Sequence, residues 1–73
     1  MKLSPKSPEK VCRAIERLGF INIRIKGSHY FFRHPDGRTT VVPYHKGEDI
    51  SVGLIAKIIK DCEVSKEEFY ELL

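Results

Sequence analysis

Cysteine chemistry is almost missing from this chain. The sequence has only two cysteines, Cys12 and Cys62, and neither belongs to a Cys-x-x-Cys pair or to a Cys/His cluster with zinc-like spacing. Each sits among apolar residues at helical spacing, which reads as a buried free thiol in a reducing compartment. No apolar run approaches the roughly 20 residues that a membrane-spanning helix needs. The opening Met1-Lys2-Leu3-Ser4-Pro5 lacks the hydrophobic stretch of a secretory leader. Linkers, repeats and low-complexity segments are missing too. With 73 residues in all, these absences leave one small domain over residues 1–73, soluble and cytoplasmic, with no membrane partner. A chain of this size buries only about 60% of the surface its unfolded form exposes, so its core is thin.

What is present is a modest excess of positive charge. The formal net charge is +3 and the hydrophobic content is 41%, enough for a globular fold. The cations concentrate in the first half, from Lys2, Lys6 and Lys10 through Arg24 and Lys26 to Arg33 and Arg38. Glu63, Glu67, Glu68 and Glu71 make the tail acidic. An anionic ligand is therefore expected to meet the first half.

Ser7-Pro8-Glu9 opens a helix: a capping serine, a proline suited to the first turn, and an acid at the positive dipole end. Val11, Ala14, Ile15 and Leu18 form its apolar stripe, and Gly19 closes it. Alternation with period two follows. Ile21, Ile23 and Ile25 are expected on one face of a strand, with Asn22, Arg24 and Lys26 on the other. Gly27-Ser28 turns into a second strand, His29 to His34, in which His29, Phe31 and Arg33 share a face. Pro35-Asp36-Gly37 is a hairpin turn, and Arg38 to Tyr44 a third strand, with Pro43 near its end. Leu54, Ile55, Ile58, Ile59 and Cys62 define a second helix, capped by Asp49 or Ser51. Ser65 and Glu68 form a capping box for a short last helix, with Val64 and Phe69 as a hydrophobic staple. The expected fold class is α+β: a three-stranded antiparallel sheet with helices on one face, in the order α-β-β-β-α plus a short helix. That order is the one found in double-stranded-RNA-binding domains.

Lys26-Gly27-Ser28-His29 is the stretch that carries chemistry. A flexible turn precedes one imidazole in a basic setting, and imidazole exchanges protons under mild conditions. Antiparallel pairing around Asp36-Gly37 brings Tyr44 or His45 toward the His29 end of the ribbon. A lone surface histidine is ordinarily just a polar residue. Three histidines also suggest zinc, but His29, His34 and His45 lack the closely spaced ligand pairs of such sites. A serine mechanism through Ser28 would need an orienting acid, and none stands nearby. RNA cleavage suits a single histidine best, because RNA carries its own nucleophile, the 2′-hydroxyl. The protein then has to remove a proton, hold the phosphate in line and offset its charge. In this reading His29 is the base. Lys26 and either Arg33 or Arg38 hold the phosphate, and the backbone N–H groups of Gly27 and Ser28 assist. No metal and no cofactor is required. The alternatives are a non-catalytic RNA-binding module that reads A-form geometry and a basic domain that docks an acidic protein.

The motifs also carry a resemblance. Leu18-Gly19-Phe20, Gly27-Ser28-His29, His34-Pro35-Asp36-Gly37-Arg38, Val42-Pro43-Tyr44-His45, the Gly47 to Gly53 spacing and Val64-Ser65-Lys66-Glu67-Glu68-Phe69 together resemble the HicA toxins of HicA–HicB toxin–antitoxin systems. The resemblance implies a double-stranded-RNA-binding-domain-like fold, metal-independent mRNA cleavage that halts translation, and neutralisation by a HicB-type antitoxin. It places the essential histidine at His29, with Gly27 and Ser28 in the same motif and His45, beside Lys46, in RNA contact or in support of the site. Three positions depart from the pattern. Tyr30 stands where many relatives have a second histidine, Tyr44 where they often have a basic residue, and Leu54 where they often have threonine.

Overall fold

The computed structural model describes residues 3–73; Met1 and Lys2, the latter counted above in the basic excess, lie outside the described residues. Helix α1 spans Pro8–Arg17, strands β1, β2 and β3 span Ile21–Lys26, His29–Arg33 and Thr39–Pro43, and helices α2 and α3 span Val52–Cys62 and Lys66–Glu71. The architecture is α+β, in the order of a double-stranded-RNA-binding domain, with the strands in the sheet order β1-β2-β3 and both pairings antiparallel.

Local chemistry sets the helix ends. Ser7, Ser51 and Ser65 cap the three helices, their hydroxyls accepting from the backbone N–H of Lys10, Leu54 and Glu68. Of the two candidate caps for α2, Ser51 is the one used. Gly19 follows α1 at φ +100°, and a Cβ there would stand 3.0 Å from Nε2 of His34, so space and backbone both require glycine.

The core lies between the helices and one sheet face. Val11, Ala14 and Ile15 of α1 meet Phe32 and Val42 of the sheet, Ile55, Ile58 and Cys62 of α2, and Phe69 of α3. Burying each such side chain contributes about 1.5–3 kcal/mol. Both cysteines are buried and unbridged. The termini are tied in as well. Tyr70 exchanges hydrogen bonds with the backbone of Ser4, and Lys6 pairs with Ile50. No helix among the described residues is long and apolar enough to cross a membrane.

Strand β1 departs from the expected alternation. Across the sheet Asn22 opposes Phe32 and Arg24 opposes Phe31, so Ile23 is an extra residue in a bulge. A bulge reverses the facing of everything beyond it. Ile21 therefore shares a face with Arg33, and Ile25 lies on the opposite face with Tyr30; the three isoleucines do not form one stripe. Nor does the core cover them. Both long helices pack against β3, and Ile21, Ile23 and Ile25 remain 59%, 56% and 56% exposed.

Candidate active site

Register builds the site rung by rung. Lys26, His29 and Pro43 oppose one another across the three strands, then Arg24, Phe31 and Val41, then Ile21, Arg33 and Thr39. These three rungs alternate with two that carry Ile25, Tyr30 and Val42, and Asn22, Phe32 and Thr40, toward the helices. The face away from the helices thus gathers Lys26, Arg24, Arg33 and His29 around Phe31, with no acidic side chain on any of its rungs. Arg24 sets its guanidinium 5.6 Å from the centre of the Phe31 ring, a cation–π contact.

His29 is exposed at the head of β2, and among the described residues no hydrogen bond fixes its ring. The turn before it holds Gly27 at φ +59°, a conformation glycine adopts without steric cost. The Ser28 carbonyl accepts from the Tyr44 backbone N–H at 2.6 Å, and the Ser28 hydroxyl lies 3.4 Å from Nε2 of His45. The structure therefore brings His45 to the residue next to His29, as the hairpin topology requires. Lys46 follows, exposed, in the turn closed by the Glu48 N–H to the His45 carbonyl.

Arg38 does not join this group. It precedes β3 at the end that pairs with Arg33, four rungs from His29. Its Nε donates to both carboxylate oxygens of Asp36, at 2.8 and 3.1 Å. Its Nη1 donates to the Cys62 carbonyl, and its guanidinium stands 5.2 Å from the Phe20 ring. These contacts pin the hairpin turn to the end of α2. His34 belongs to the same knot, with its ring edge against Phe20 and its Nδ1 accepting from the Asp36 backbone N–H.

Tyr30 and Tyr44, two of the three departures from the motif pattern, stack on each other at 4.5 Å and pack against the core. Burial raises the Tyr44 phenol above its usual range. Sequence reasoning passed over Arg24 as a site residue, although its alternation with Lys26 on β1 was the signal that placed both on one face.

These elements make a small α+β fold with one basic sheet face and an exposed, glycine-led histidine at its corner. The family described as the HicA toxin of bacterial toxin–antitoxin systems has a model that matches residues 8–64. The chain belongs to that family, so its role is that of a toxin with a cognate antitoxin as partner. No curated protein matches it significantly.

Proposed function

We propose that this toxin is a metal-independent endoribonuclease that cleaves mRNA, with His29 as the general base. His29 takes the proton from a 2′-hydroxyl, and the 2′-oxygen attacks the adjacent phosphorus as the 5′-oxygen leaves with a proton from solvent. Lys26 and Lys46 hold the phosphate and offset the charge that grows on its equatorial oxygens, and Arg33, four residues along β2, holds a phosphate further along the RNA. The N–H groups of Gly27 and Ser28 assist, and His45 supports the turn through Ser28. Arg38, whose guanidinium is already engaged, contributes at most to distant phosphates. DNA lacks the nucleophile and resists cleavage. The single observation that supports this reading most is the first rung: an exposed imidazole directly opposite a lysine, at the corner of a basic sheet face.

The same face suits an acidic partner, and a HicB-type antitoxin laid over it would both occlude His29 and reverse the local potential. The test is end-labelled mRNA incubated with the toxin in EDTA. Cleavage by the parent and a roughly 10²–10⁴-fold loss in His29→Ala, with an unchanged melting curve, are expected. Equal cleavage by the two proteins overturns the assignment. RNA binding without cleavage by the parent would favour the non-catalytic module instead.

A further inference from the structure

One apolar surface is used neither by the core nor by the proposed proton transfer. Ile21, Ile23, Arg33, His34 and Pro35 line an open groove of about 250 Å³ at the far end of β1. Ile21 and Ile23 stand more than half exposed there, and Ile23 is the bulge residue of β1. β1 is also an edge of the sheet, with strand β2 on one side only. Arg33 is four residues along β2 from His29, roughly 13 Å at the rise of a strand, so the groove is separate from the proposed proton-transfer site.

Three occupants are conceivable, and their chemistry separates them. RNA is held by aromatic stacking, guanidinium planes and phosphate contacts; branched aliphatic walls offer it little. A second copy of this chain would set β1 against itself, and Ile21–Lys26 carries Arg24 and Lys26 with no acid to pair with either. A different protein that presents an apolar side chain and a carboxylate satisfies both the isoleucines and Arg33. The toxin's family supplies a protein partner, the cognate antitoxin.

We propose that this groove anchors the cognate antitoxin, which sets an apolar side chain between Ile21, Ile23 and Pro35 and a carboxylate against Arg33. The anchor rests on family membership and not on the RNA-cleavage reading, so either stands if the other fails. It holds the antitoxin at one end of the sheet while the rest of the partner reaches the His29 corner.

The test is calorimetric titration of the purified cognate antitoxin into the parent, the double variant Ile21→Thr/Ile23→Thr, and Ile25→Thr. Threonine keeps the β-branching that strands favour, and thermal melts check that each variant folds. Ile25 is as exposed as Ile23 but lies on the other sheet face, outside the groove. The double variant is expected to bind the antitoxin roughly tenfold or more weakly, as loss of an interface anchor does. Ile25→Thr should bind like the parent, and both should bind labelled RNA like the parent. Antitoxin affinity within twofold of the parent in the double variant overturns the proposal. So does an equal loss in Ile25→Thr, or a loss of RNA affinity alone. A parent dimer that the double variant converts to monomer, with antitoxin binding intact, assigns the groove to a second copy and also overturns it.

Discussion

The Ser28 hydroxyl and Nε2 of His45 stand 3.4 Å apart, joining the β1–β2 turn to the segment that follows β3. The tautomer of His45 sets which of the two donates. Either way, the contact restrains the turn whose next residue is His29. Removing one partner of an exposed hydrogen bond removes what both contribute to it. Ser28→Ala and His45→Ala are therefore each expected to lower kcat/KM on RNA about 3- to 10-fold, from a bond worth about 0.5–1.5 kcal/mol. The double variant should be little worse than either single one, because the two changes delete the same contact. Kinetics on the four proteins check this; fully multiplicative losses would show that His45 acts on RNA independently of Ser28.

Features fixed by neighbours in sequence were the legible ones. The Ser7 and Ser65 caps, the Gly19 stop, the Gly27-Ser28 turn and the facing of His29, Phe31 and Arg33 all follow from a few consecutive residues. The bulge at Ile23 left no trace, because Ile-Asn-Ile-Arg-Ile-Lys alternates without a break. The exposure of those isoleucines was equally hidden, since it depends on the helices lying over β3 and not over β1. Arg38 reads in the sequence as a candidate phosphate contact. Its engagement depends on the Cys62 carbonyl, presented by a helix end far along the chain. The position of His45 was the exception: a non-local feature that strand pairing alone made readable.

The thiols give the fold an alkaline limit. Burial, with the nearby carboxylates of Glu16 and Glu9, pushes Cys12 from 9.0 up to about 12. Burial, with Asp61, pushes Cys62 up to about 11. A group whose value is raised on folding stabilises fully below its unfolded value and loses that contribution as pH rises toward the folded one. Stability is expected to decline between pH 9 and about 12. Cys12→Ala should show a shallower decline than the parent in urea melts across that range. At neutral pH a thiol reagent should modify the native chain only as fast as it opens. Rapid labelling without unfolding would contradict the burial of both side chains.

Glu63 ends α2 in the left-handed region, at φ 57° and ψ 43°, with its N–H donating to the Ile59 and Lys60 carbonyls. A side chain in that conformation is strained, and glycine is not. Glu63→Gly is expected to stabilise the chain by about 0.5–1 kcal/mol, partly offset by the greater freedom of the unfolded glycine. The urea midpoint measures it. Glu63→Ala keeps the strain while removing the charge, so it should leave the midpoint close to the parent's. Equal gains from both variants would assign the effect to the lost carboxylate.

Arg38 and Asp36 form the remaining test, one of structure against substrate contact. The Arg38 side-chain hydrogen bonds, then its backbone N–H, hold the Asp36 carboxyl below its ordinary 3.8. A carboxyl lowered on folding stabilises above its unfolded value and loses that contribution as pH falls through the folded one. The parent should therefore melt above Asp36→Asn at neutral pH, with the two curves converging as pH falls below 3.8. Arg38→Lys should not restore the parent's melting temperature. An ammonium has no planar fork, and it cannot serve Asp36 and the Cys62 carbonyl while lying over Phe20. RNA cleavage measured well below the variants' melting temperatures should stay close to the parent's, because the guanidinium is committed to the hairpin. A loss of cleavage in Arg38→Lys comparable to that in Lys26→Ala, with melting unchanged, would instead place Arg38 among the groups that hold the phosphate.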